Sequence, residues 1–249
     1  MTDVTGPVFV LFGAAGGIGS AVARLLSERG GRLLLAGRSP DKLKALQAEV
    51  GGEVFPLDAT RYDEVDAAVD RAVGLYGRVD GIACLVGSIL IRAAHQTSQA
   101  QVQAAIDMNL HPAFAAVRAG ARAMKDTGGS VVLMSSTAAR VGLPNHEAIS
   151  AAKAAIIGLT QSAAATYAPI IRVNCVAPGL TRTPLAQPII SSEPAERASI
   201  AMHPLGRLGE PIDVARVVAF LLGAESGWMT GQTVGVDGGL STVRQRIKV

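Results

Sequence analysis

The chain has 249 residues, 49% of them hydrophobic and 17% charged, with 28 glycines spread along it and a formal net charge of +3. That length and apolar content fit one large α/β domain and leave no room for a second; the small charge, part of it in Arg244, Arg246 and Lys248 of the tail, gives no basic stripe for nucleic acid. No apolar run approaches about 18 residues, and the Thr2-Asp3 start lacks a signal peptide's charged and apolar regions, so a soluble cytoplasmic protein that does not cross a membrane is expected.

Short β-branched runs at 8–12, 32–36, 54–57, 81–86, 131–135, 171–177 and 233–236 alternate with helical periodicity at 18–29, 43–50, 65–76, 102–124, 148–167 and 214–222. The alternation predicts a Rossmann-type, doubly wound, parallel seven-stranded sheet with helices on both faces, in a single domain spanning 1–249. Ser39-Pro40 is read as a helix start with the serine as cap, and Ser98 as the cap of the helix that carries Asn109. Cys84 and Cys175 sit in apolar strand runs, which reads as buried reduced thiols. His95, His111, His146 and His203 are scattered without metal-ligand spacing, so no metal site is expected. The one long irregular stretch, 180–208, rich in Pro, Ser and Ala, is the candidate substrate lid.

Gly13-Ala14-Ala15-Gly16-Gly17-Ile18-Gly19 follows the first strand and opens the first helix. Its glycines permit a tight turn and the approach of a pyrophosphate to backbone N–H groups. Ser136 ends the fifth strand, Lys153 lies on the next helix, and Asn109 on the long central helix. Pro178-Gly179 with Thr181 and Thr183 follows the sixth strand, and Gly231 to Gly239 holds the last strand and the segment after it. From Val8 to Gly239 this set resembles the short-chain dehydrogenase/reductase family.

The resemblance implies a nicotinamide dinucleotide held by Gly13, Ala15, Gly17, Ile18, Gly19, Arg38, Asp58, Ala59, Gly87, Lys153, Pro178, Gly179 and Thr181. It implies a small-molecule substrate and a homo-oligomer, commonly a tetramer formed through the two long helices and the C-terminal strand. Arg38, just past the second strand where an acid would bond ribose hydroxyls, offers a fork of donors suited to phosphate, so NADP is favoured over NAD; a solvated surface arginine is the alternative. Asn109 would hold a water in a relay to Lys153, Ser136 would bond the substrate oxygen, and Lys153 would bond the nicotinamide ribose.

The tyrosine four residues before the lysine, which passes the proton in that family, is Ile149 here, and isoleucine has none to give. Phe12 and Leu85 are further apolar departures, expected to replace polar ties of the glycine loop by apolar packing around them. His146, seven residues before Lys153, falls where the enoyl reductase branch carries its tyrosine; a solvated histidine beside Glu147 is the competing reading. Two functions follow. One is an NADP(H)-dependent oxidoreductase acting on a carbonyl, alcohol or activated double bond with an atypical proton donor among Ser136, Lys153, Asn109 and His146. The other is a catalytically silent NADP-binding sensor or oligomer partner. Retention of both cofactor-side and substrate-side elements favours the enzyme.

Overall fold

The computed structural model describes residues 6–244; the tail cations Arg246 and Lys248 lie outside them. Seven strands form one parallel sheet in the order β3-β2-β1-β4-β5-β6-β7: β1 Val8–Phe12, β2 Arg32–Gly37, β3 Glu53–Pro56, β4 Gly81–Cys84, β5 Gly129–Met134, β6 Ile171–Pro178 and β7 Thr233–Val236. The helices are α1 Gly17–Glu28, α2 Pro40–Val50, α3 Tyr62–Tyr76, α4 Gln99–Met124, α5 Glu147–Tyr167, α6 Glu193–Ala201 and α7 Pro211–Leu222. The strand order reverses between β1 and β4, so the crevice for a ligand opens at the carboxyl ends of these two strands.

Alternation along β1 explains the two cores. Val8, Val10 and Phe12 join residues of α3, α4 and α5 on one face, while Phe9 and Leu11 join residues of α1, α2 and α7 on the other. Every residue of β1 is buried, as a parallel strand covered on both faces requires. Phe12 and Leu85 are both in apolar packing, in opposite layers. The glycine loop is instead tied by its backbone: the amides of Gly13 and Ala14 both donate to the Ala36 carbonyl, at 2.9 and 3.1 Å, and the Leu85 amide donates to that of Phe12 at 2.9 Å.

Two expectations change. Ser98 caps α4 in a reciprocal box with Gln101, but Ser39, although at the cap position of α2, makes no side-chain bond there. The stretch 180–208 is not irregular throughout: it holds a 3-10 turn, Gln187–Ile190, and the helix α6. Its proline content hid the helix, since Pro194 stands in the first turn, where no intrahelical N–H is needed, with Ser192 as cap. One helix among the described residues, α5, is apolar and long enough to span a membrane by composition alone; here it packs against α4, β5 and β6.

Candidate active site

The turn at the end of β1 has Gly13 at φ +80°, a conformation that favours glycine. A methyl group on Gly19 would lie 2.2 Å from the Gly13 carbonyl oxygen, and one on Gly17 would lie 2.8 Å from the Thr183 methyl carbon. The glycines thus let α1 start directly behind the loop and let the segment after β6 close over it. Because the first-turn amides of a helix have no intrahelical acceptors, this end of α1 is a cradle for a pyrophosphate. The cleft running outward from it is lined by Gly13, Gly16, Gly17, Ile18, Gly19, Arg38, Asp58, Ala59 and Gly87. Ala15 does not line it; its methyl packs against the α1 layer instead.

Arg38 is exposed at the far end and makes no ion pair among the described residues. Asp58 accepts from the amide and hydroxyl of Thr60 at 3.0 and 2.9 Å; these bonds, with Arg38 and Arg61 nearby, hold its carboxyl below the usual carboxylate range. A dinucleotide fits these residues: donors stand at the pyrophosphate position, and an acid and a free guanidinium at the adenosine end.

Beyond Ile18 and Gly87 the cleft continues into a cavity of about 260 Å³ bounded by Ser136, His146, Ile149, Lys153, Pro178, Gly179 and Thr181. Much of the remaining wall is apolar: Ile89, Ile91, Leu143, Leu185, Ile189 and Met202. These residues belong to two loops, 88–92 and 180–208, and to the turn before α5. The Arg92 amide donates to the Asn145 carbonyl at 2.7 Å, which fastens the first loop beside that turn.

Lys153 is 6% exposed, and its ammonium donates to the Met134 carbonyl at 2.9 Å. Burial pulls its pKa from 10.5 down to about 8. Cys84 and Cys175, both free and buried, are pushed up to about 11 by the same desolvation and stay neutral while Lys153 titrates. Asn109 is buried behind Lys153 and does not face the cavity. Its amide donates to the Ser88 hydroxyl at 2.9 Å and the Ala105 carbonyl at 2.8 Å, and its oxygen accepts from the Ser88 amide at 3.1 Å. Asn109 and Lys153 meet across Gly87, where a methyl would lie 2.9 Å from Asn109 Oδ1 and 3.0 Å from Lys153 Nζ.

Ser136 reaches the cavity from the end of β5, with its hydroxyl accepting from the Ala138 amide at 3.2 Å. His146 stands at the N-cap position of α5 without capping it; its Nδ1 is bound to the Pro144 carbonyl at 2.7 Å, which fixes the tautomer with the proton on Nδ1 and leaves Nε2 without a partner among the described residues. Ile149, 4% exposed, completes the wall between His146 and Lys153. The cavity therefore combines a hydroxyl, an imidazole nitrogen and a buried amine around an apolar space. Sequence reasoning missed His203, which also lines it; unlike His146, it stands at no spacing that marks it, and its one sequence reading is as a possible metal ligand.

A family model described as enoyl-(acyl carrier protein) reductase matches residues 13–241. The chain is 34% identical to the 3-oxoacyl-(acyl-carrier-protein) reductase of Thermotoga maritima over 242 residues, 94% of this chain and 98% of the relative. It is 37% identical to the cis-4-hydroxycyclohexanecarboxylate dehydrogenase of Sinomonas cyclohexanicum over 246 residues, 95% and 97% of the two chains. A short-chain type dehydrogenase/reductase from Mycobacterium ulcerans has the same fold, with a TM-score of 0.90 and 33% identity over 96% of this chain and 90% of that one.

Proposed function

The chain belongs to the short-chain dehydrogenase/reductase family of NAD(P)-dependent oxidoreductases, and we propose that it is an NADP(H)-dependent member that reduces or oxidises a neutral, largely apolar substrate without the family's phenol. The observation that carries this reading is the continuity of the dinucleotide cleft with the apolar cavity at Ile18 and Gly87. Bound there, the nicotinamide nucleotide supplies or takes the hydride. The protein's own residues have three tasks. The α1 amides and Gly13 to Gly19 hold the pyrophosphate. Arg38, unpaired and without a neighbouring acid on β2, holds the 2′-phosphate that distinguishes NADP. The third task is to manage a proton at the substrate oxygen or carbon.

In the place of the family's tyrosine stands Ile149, so the proton must come from elsewhere in the wall. Ser136 is placed to bond a substrate oxygen. His146 is our proposed acid/base group: with its Nδ1 proton held at Pro144, the Nε2 lone pair takes the proton of an alcohol, and the doubly protonated ring so formed gives it back at Nε2 in the reverse, reductive direction. Lys153, held at Met134, is proposed to bond the nicotinamide ribose. The relatives described above are named for a 3-oxoacyl group on acyl carrier protein and for cis-4-hydroxycyclohexanecarboxylate. Among the residues that line this cavity the only basic ones are Lys153, His146 and His203, and none is acidic, so a charged substrate finds little to neutralise it. Neutral alicyclic or acyl carbonyl compounds fit best. The segment 180–208 acts as the lid over them.

Oxidation of NADPH measured on a panel of neutral ketones, aldehydes and enones checks this. Turnover is expected to fall about 100-fold or more with His146→Phe and Ser136→Ala, and the preference for NADPH over NADH to fall about tenfold or more with Arg38→Asp. Activity untouched by both cavity substitutions would exclude the site. Burial of Ile149 in the cavity wall, with no hydroxyl on it, favours a second reading, a silent NADP-binding protein; it predicts NADPH binding without turnover, and turnover gained on Ile149→Tyr.

A further inference from the structure

His203 is 2% exposed, lies just past α6, and stands between the cavity and the outer face of the sheet. Both ring nitrogens are used. Nδ1 meets the Ser199 carbonyl of α6 at 2.8 Å, and Nε2 receives the Leu180 amide at 3.2 Å. An N–H must face the carbonyl and a lone pair must face the amide, so the geometry requires the neutral ring with its proton on Nδ1. Leu180 is the first residue after Pro178-Gly179, and its carbonyl in turn accepts from the Gly209 amide at 3.0 Å. Gly179 has to be glycine for this ring to fit, since a methyl there would lie 2.8 Å from Nε2.

We propose that His203 is a positioning residue that pins the lid helix α6 to the nicotinamide-side loop at Leu180, and that only its uncharged form does so. Addition of a second proton puts an N–H on Nε2 facing the N–H of Leu180, which breaks the pin at that end. The Ser199 end survives protonation, because Nδ1 donates in either state and the carboxyl end of α6 favours a cation. Proton uptake therefore frees the loop without unwinding the helix, and the cavity loses one wall.

The ionisable groups around the ring are already committed or stand apart from it. The Asp237 carboxylate accepts from the Thr137, Gly239 and Ser241 groups. Arg207 is bound to Asp213, and Arg182, in the segment after β6, bridges Glu196 of α6 and Glu210. Arg197 of α6 pairs with Glu193. Arg216 lines the outer face, and Lys153 and His146 line the cavity side. Among the described residues none of these bonds to either nitrogen of His203, so no other carboxylate or cation takes over the Leu180 amide.

Hydrogen–deuterium exchange of the segment 180–202 in the ligand-free protein tests this independently of turnover. After correction for intrinsic exchange, the wild type is expected to exchange there about tenfold faster at about pH 5 than at about pH 8, the size of one hydrogen bond. His203→Gln, whose carbonyl reaches the Leu180 amide without titrating, is expected to stay protected at both. His203→Phe is expected to exchange fast at both; if it does not fold, the wild type and the glutamine variant decide alone. A flat wild-type profile, or an equal rise in His203→Gln, overturns the proposal.

Discussion

At the scale of single residues the site is decided by groups whose chemistry depends on their burial. Lys153 is the clearest case: a solvated lysine would hold its proton to pH 10.5, and burial brings the value to about 8. That difference is a cost of about 3 kcal/mol carried by the folded protein while the amine is charged. The sign follows from the direction of the shift. Below about pH 8 the penalty is fully present, and it fades as the pH rises through 8 toward the unfolded value of 10.5. Lys153→Met is therefore expected to raise the melting temperature by several degrees at neutral pH, with the gain shrinking above pH 8, while it abolishes activity; thermal denaturation across pH reads both. A gain that does not shrink would mean that the amine is not the source of the cost. Ile149 is the converse. Its spacing before Lys153 is plain in the sequence, yet only the fold shows it closing a cavity wall rather than facing solvent.

Among the elements, the glycine loop and α1 act as one unit. Gly19→Ala would drive a methyl into backbone, 2.2 Å from the Gly13 oxygen, so the helix start has to move away from its cradle. NADPH affinity, followed by fluorescence titration, is expected to fall at least about tenfold. Gly74→Ala in the last turn of α3 is the contrast: nothing lies within 4 Å of the added carbon, and the protein should gain up to about 0.5 kcal/mol from the helix itself. The strand–loop–helix order makes the glycine loop legible from residue spacing alone. The helix α6 is not legible in that way, because proline and serine read as loop until Ser192 is seen capping and Pro194 is seen in a first turn. His203 escapes for a related reason: its partners, Ser199 and Leu180, lie on two elements whose meeting no spacing announces.

For the whole molecule, the outward face of α5 presents Ala151, Ala154, Ala155, Gly158, Ser162 and Ala165, all exposed and small, beside half-exposed Phe114 of α4 and Ile170. Small residues let two copies of the helix approach closely, and we propose that the protein assembles through α4 and α5 into a homotetramer. Gly158→Arg tests it with little risk to the protomer, since nothing lies within 4 Å of the substituted carbon. Light scattering should give a tetramer for the wild type and a smaller species for the variant; equal masses would place the interface elsewhere.

Hydrophobic alternation and glycine position determined the parallel sheet and the glycine loop at the start of the first helix, because period and turn chemistry are local properties of the chain; the switch point came with the strand order. The family resemblance then located Arg38, Ser136, Ile149 and Lys153 along the chain. Tertiary structure alone decided what surrounds them. It buried Lys153, turned Asn109 away from the cavity and onto Ser88, separated Phe12 from Leu85 onto opposite layers, and joined His203 to Leu180. Each of these depends on which distant segments meet and on how far water is excluded where they do, and neither is written in the spacing of residues along the chain.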